Sequence, residues 1–164
     1  MEYSTLIKTI RKKLITFSKS HGFEKLKSNY YSRDTVDAVQ LFVIDYSPRI
    51  HHFYFEVSLE EPPLDLNEAS ITLARYWQGA AMPKSFLMTF SRAMSCDIEQ
   101  DLEQRLRIID EGLSDYVAPW IRRWDSKEKV HLHLQETEIW TKKDFFTPPG
   151  GLAKMGFEWR EFAG

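Results

Sequence analysis

The stretch that decides the fold is Val36-Asp37-Ala38-Val39-Gln40-Leu41-Phe42-Val43-Ile44-Asp45-Tyr46-Ser47-Pro48-Arg49-Ile50-His51-His52-Phe53-Tyr54-Phe55-Glu56-Val57-Ser58-Leu59. Its second half alternates. Phe53, Phe55, Val57 and Leu59 fall on one face, and Tyr54, Glu56, Ser58 and Glu60 on the other. Side chains of a strand alternate between faces, so this is a half-buried strand. The first half is apolar on both faces: Val39, Leu41 and Val43 on one, Phe42, Ile44 and Tyr46 on the other. Such a strand needs cover on both sides of its sheet. Ser47-Pro48-Arg49 reads as the turn between the two, so residues 36–46 and 50–60 form an antiparallel hairpin.

Upstream, Tyr3, Ile7, Ile10, Leu14 and Phe17 recur at helical spacing, an apolar stripe with Lys8, Lys12 and Lys19 on the other side. Gly22 stands where a left-handed C-cap would end that helix. Asn29-Tyr30-Tyr31-Ser32-Arg33 reads as a short first strand. Downstream, Pro62-Pro63 ends the hairpin. Residues 69–77 read as a further strand, although helical periodicity also fits them, and 86–90 as a strand or the lead-in to a helix. Asp97-Ile98-Glu99-Gln100 has the form of a capping box, with Asp97 as N-cap. It opens a long helix striped by Ile98, Leu102, Leu106, Ile109 and Leu113. Gly112 weakens that helix, and Pro119 demands a kink or a restart. Trp120, Ile121 and Trp124 form a second apolar patch, and 127–135 a short helix or strand.

The order is helix, strands, helices. It predicts an α+β fold: an antiparallel sheet of three to five strands after an N-terminal helix, followed by C-terminal helices. The chain of 164 residues reads as a single domain, 1–164, with an aromatic C-terminal tail at 144–164. Phe145, Phe146, Phe157, Trp159 and Phe162 in that tail are the candidates to cover the sheet face of Phe42, Ile44 and Tyr46, in the same chain or across a homodimer.

Composition is that of a globular protein, 43% hydrophobic and 28% charged. The single cysteine, Cys96, excludes an intramolecular disulfide and suits a reducing compartment. With no apolar run long enough for a membrane span and no secretory h-region, the expected place is the cytoplasm, away from membranes. Charge is uneven along the chain. Residues 1–34 hold eight bases and three acids, whereas 35–68 hold one base and seven acids. Patches of opposite sign follow, which can pair within the fold or meet partners.

The pieces His21-Gly22-Phe23, Asn29-Tyr30-Tyr31-Ser32-Arg33, Gln40-Leu41, Phe53-Tyr54-Phe55-Glu56-Val57 and Ala118-Pro119-Trp120-Ile121, spread over residues 5–125, give the chain a likeness. In their order it resembles the bacterial family catalogued as domain of unknown function 4304. That resemblance implies the α+β fold and brings no catalytic residues. By size and composition the chain also resembles immunity proteins of bacterial toxin systems, small cytosolic domains that neutralise a toxin by binding it.

No motif for a cofactor, phosphate loop or hydrolase nucleophile stands out, and the reading calls for no cofactor. His51-His52 straddles two strand faces. His131-Leu132-His133 would share a face only as a strand, and no Cys pair or His-Glu-x-x-His supports a metal. Cys96, ahead of a helix start, reads as a small residue in a lead-in. His52, Tyr54 and Glu56 share the polar face of the second hairpin strand, where acid–base work would require a cleft. Lys8, Arg11, Lys12, Lys13 and Lys19, with Lys25 and Lys27, could meet phosphates, but the net charge of −2 argues against nucleic acid. Glu99, Glu103 and Asp110 project together from the long helix, with Asp97, Asp101 and Asp115 on another side. Such acidic faces steer basic partners. The expectation is a non-enzymatic module that binds a basic protein partner through Glu99, Glu103 and Asp110, in its finer form an immunity-type neutralising protein. The alternatives are a small enzyme or ligand-binding protein using His52, Tyr54 and Glu56, and nucleic-acid binding through the first helix.

Overall fold

The computed structural model describes residues 2–64, 72–77 and 82–136. The elements run α1 (Tyr3–Ser20), β1 (Glu24–Lys27), β2 (Tyr30–Asp34), β3 (Val39–Ser47), β4 (His52–Glu60), β5 (Thr72–Trp77), α2 (Lys84–Met94), α3 (Leu102–Gly112), a π-helical turn (Leu113–Val117), α4 (Ala118–Arg123) and α5 (Lys127–Glu136). The sheet is a five-stranded antiparallel meander in the order β1-β2-β3-β4-β5. The fold is therefore α+β with the element order that the sequence predicts.

The hairpin at its centre pairs without a break from Val39↔Glu60 to Ser47↔His52. At the turn β3 runs one residue past the expected end, to Ser47, and β4 starts two residues after the expected start, at His52, so the loop is Pro48 to His51. His51 adopts φ +49° there, a left-handed conformation that His tolerates better than most residues. Cross-strand pairs put Phe42 opposite Val57, Ile44 opposite Phe55 and Tyr46 opposite Phe53. Phe42, Ile44 and Tyr46 thus share a face with Phe53, Phe55 and Val57.

That face lies under the helices. Phe17 of α1 meets Phe42 at 6.0 Å between ring centroids, and Phe90 of α2 meets Phe55 edge-on at 6.2 Å. α1 and α2 thus lie on the face for which the tail is a candidate cover. The other face carries Leu41 and Val43, both buried, and also the buried polar residues Ser58 and Glu60. The tail residues Phe145, Phe146, Phe157, Trp159 and Phe162 lie outside the described residues.

Helix α1 ends as its sequence requires. Gly22 takes φ +84°, and the amides of Gly22 and Phe23 return to the carbonyls of Lys19 and Ser18. Residues 86–90 fall in α2. The capping box at Asp97 is corrected as well: α3 is capped by Asp101, whose carboxylate accepts the Gln104 amide at 2.9 Å. The physical reason lies just upstream. Ser95 bridges to His52, and the Cys96 amide donates to the His51 carbonyl at 2.7 Å. The chain is held extended against the hairpin there and cannot turn into a helix at 97. After Gly112 the backbone widens into the π-helical turn before Pro119 enters the first turn of α4, where its missing N–H costs least.

Candidate functional site

The β2–β3 connection and the α4–α5 corner meet at one end of the sheet. Thr35 shapes the connection: its amide and its hydroxyl both donate to the Ala38 carbonyl at 2.9 Å, and the hydroxyl accepts the Ala38 amide at 3.1 Å. Val36 and Asp37 are left at the tip, and Val36 is 95% exposed. Asp37 reaches back to accept the Lys127 amide at 3.0 Å, and Ser126 accepts the Lys129 amide at 3.1 Å. Together they cap the first turn of α5, whose free N–H groups need acceptors. The tip and the helix are thereby fixed to each other.

A cleft of about 580 Å³ lies between them, lined by Arg33, Asp34, Val36, Asp125, Glu128 and Lys129 among others. Within it Asp125 pairs with Lys129 at 2.7 Å. Asp34 and Glu128 form no ion pair among the described residues. Arg33 is turned inward: it donates to the His21 carbonyl at 3.0 Å and to the Gln40 side chain, with its guanidinium over the Phe23 ring. Burial lowers its pKa, and Asp125 works against that shift. The outward charge of this corner is therefore carried mainly by carboxylates, around an apolar tip.

The three acids expected to act together are spread differently. Glu99 is exposed in the loop ahead of α3. Glu103 lies in the first turn of α3 and reaches Arg107 at 3.5 Å. Asp110 is held by Lys13 of α1 at 2.7 Å. Of the other stripe, Asp97 accepts the Tyr3 hydroxyl at 2.6 Å and Asp101 is the N-cap. Much of the acidity of this helix thus serves its own start and its packing on α1.

His52, Tyr54 and Glu56 do share a face of β4, facing Ser47, Asp45 and Val43 of β3. The His52 and Tyr54 rings lie 4.6 Å apart. Burial lowers the pKa of His52, which favours the neutral ring near pH 7. His131 and His133 lie in α5, a helix and not the strand a shared face needs. Among the described residues no group of three or more His, Cys, Asp and Glu is placed to hold a metal.

A polar cluster that sequence reasoning missed sits where α1, the hairpin loop and the segment ahead of α3 converge. The Tyr46 hydroxyl is 2.9 Å from His51 Nδ1, and the Tyr3 ring meets His51 edge-on at 4.7 Å. Behind it Arg105, 1% exposed, gives hydrogen bonds to the carbonyls of Ala93, Ser95 and Ile98. A buried guanidinium is tolerated when most of its donors are met, and here Nη1 and Nη2 are bonded while the buried Nε is left without a partner among the described residues. The bonded donors gather the carbonyls of Ala93 and Ser95 at the end of α2, where the helix dipole also favours a cation, and that of Ile98 in the loop beyond it. Burial pushes the neighbouring Cys96 thiol up, and Arg105 only partly offsets this, so Cys96 stays a protonated core thiol.

No helix among the described residues is long and apolar enough to cross a membrane. Comparison with protein-family models, with curated proteins and with solved structures finds no match to this chain.

Proposed function

We propose that the chain is a non-enzymatic protein-binding module that takes a basic partner at the β2–β3 tip and the α5 corner. The observation that carries this reading is Val36: a β-branched side chain almost wholly in water, on a pinned turn, ringed by Asp34, Asp37, Asp125 and Glu128. A lone exposed apolar residue is ordinary. An apolar tip held rigid amid carboxylates is the layout of an interface, with an anchor that loses water and a charged rim that steers. The tip and α5 are tied before any partner arrives, so little ordering cost remains at binding. Glu99, Glu103 and Asp110 would supply long-range attraction only. Their exposed ion pairs with Arg107 and Lys13 are weak and exchangeable. The finer form of the proposal is an immunity-type neutralising protein, for which a small, rigid, acidic binder is well suited.

The test is capture from native lysate at low and high salt with three proteins: wild type, Val36→Lys with Asp34→Lys, and Glu99→Lys with Glu103→Lys. We expect a basic protein that is released by salt, is lost with the first variant and is only weakened with the second. A partner retained by the Val36 variant, or none retained by wild type, would overturn the assignment.

A further inference from the structure

A second cleft lies at the far side of α1, distinct from the acidic corner. It has a volume of about 520 Å³ and is lined by Arg11 and Ile15 of α1, Lys25 of β1, Ser28 and Asn29 of the β1–β2 turn, Tyr31 of β2, and Ile44, Asp45 and Tyr46 of β3. That size is ordinary for a small-molecule site. The cations come from separate elements. Arg11 lies over the Phe53 ring at 5.8 Å, and neither Arg11 nor Lys25 has a carboxylate at ion-pair distance among the described residues. This distinguishes them from Lys13, one residue-face away on α1, which Asp110 neutralises.

The rest of the cleft is built to hold its shape. The Asn29 side chain donates to the Ile44 carbonyl at 2.8 Å and to Asp45 at 2.6 Å, and the Asn29 backbone carbonyl accepts the Ile44 amide at 3.1 Å. Asp45, the one carboxylate among the described lining residues, accepts from the neutral Asn29 and keeps its charge, so the two cations leave the lining net positive. Ser28 takes φ +49°, a conformation a serine adopts at some cost. Backbone strain of this kind gathers where a turn is shaped for more than connection. Ile15 and Ile44 give the cleft an apolar wall, and the Tyr46 hydroxyl beside it is bonded to His51.

We propose that this cleft binds a small organic anion. Its oxyanion group sits between Arg11 and Lys25, and its apolar body lies along Ile15 and Ile44. A planar guanidinium and a mobile ammonium lining one cleft suit a phosphate or a carboxylate. An apolar wall adds nothing for a bare inorganic ion, so the ligand carries carbon. The basic first helix would thus serve a discrete cleft in place of an extended nucleic-acid surface.

Isothermal titration with phenyl phosphate, benzoate and inorganic phosphate separates the possibilities, because the first two share the oxyanion and the apolar body and differ in charge. We expect phenyl phosphate or benzoate to bind, and the tighter of the two to name the anion class. Arg11→Gln and Lys25→Gln should each weaken that binding roughly tenfold, the usual loss for one charge-assisted hydrogen bond. Lys8→Gln with Lys12→Gln, exposed charges of the same helix, should leave it unchanged, as should the Val36 variant of the protein-binding test. Because Arg11 also packs on Phe53, circular dichroism checks each fold, and Lys25→Gln keeps the test decisive if Arg11→Gln unfolds. Absence of binding by both organic anions at millimolar concentration would overturn the proposal. So would inorganic phosphate binding as well as phenyl phosphate, or Lys8 and Lys12 mattering as much as Arg11 and Lys25.

Discussion

His52 stands at the first position of β4, half-buried, with Tyr54 against its ring. Burial depresses its folded pKa below the ordinary 6.5. The unfolded chain therefore takes up a proton first as pH falls, and stability declines from about pH 6.5 downward until the folded pKa is passed. We expect the urea midpoint to fall through that window in wild type and to fall less in His52→Gln. Identical slopes in the two proteins would show that His52 contributes nothing to acid sensitivity. At this scale the sequence was only partly legible. Tyr54 and Glu56 could be placed beside His52 by counting in twos. Arg105 could not be found, because its role depends on carbonyls of Ala93 and Ser95 that tertiary structure brings to it. The apolar pattern starts the strand at Val36, three residues ahead of where β3 begins. The signal for a tip is present, since Asp34-Thr35 before Val36 and Asp37 after it are residue types that favour turns, and the Thr35 side chain does bond the backbone of Ala38.

Between elements, packing decides cases that propensity alone decides wrongly. Gly112 looks like a flaw in α3, because alanine would favour the helix by about 1 kcal/mol. Yet a Cβ on Gly112 would lie 2.3 Å from Cδ2 of Phe90, a ring that is fully buried between α2 and β4. That ring meets Phe55 edge-on inside the core, so it can yield only by moving against buried neighbours. Overpacking of this kind costs typically 1–3 kcal/mol, so the clash wins. We expect Gly112→Ala to lower stability in urea unfolding, and Gly112→Ala with Phe90→Leu to recover part of the loss. A Gly112→Ala protein at least as stable as wild type would contradict the α2–α3 contact. The helix stripe of α3 and the period of two in β4 were legible because each is a property of local spacing. The start of α3 at Leu102 was not, because the hairpin holds Ser95 and Cys96 extended by a bridge to His52 and a bond to His51. The faces of β3 were separated correctly, but which face the helices take follows only from the register with β4.

In the whole molecule, each strand of the sheet pairs with its neighbour in sequence, and α1 is tied to the rest by distant partners, Tyr3 with Asp97 and Lys13 with Asp110. This arrangement bears on the order in which the chain assembles. Closing the β3–β4 hairpin spans a loop of few residues, whereas docking α1 closes about 25 at its Phe17–Phe42 contact with the sheet and nearly a hundred at its Lys13–Asp110 contact with α3, and loop entropy rises with that length. The central hairpin can therefore form in the rate-limiting step while α1 is still loose. We expect Val57→Ala, in the hairpin, to slow refolding in stopped-flow experiments, and Leu14→Ala, in the buried face of α1, to act mainly by speeding unfolding. The reverse pattern would place the helix in the nucleus. If the meander leads, the sheet face of Phe42 and Phe55 stands bare for the interval before α1 arrives. New chains would then be most prone to stick to one another early in refolding, and the lysines on the edge strand β1 would be their first guard against it.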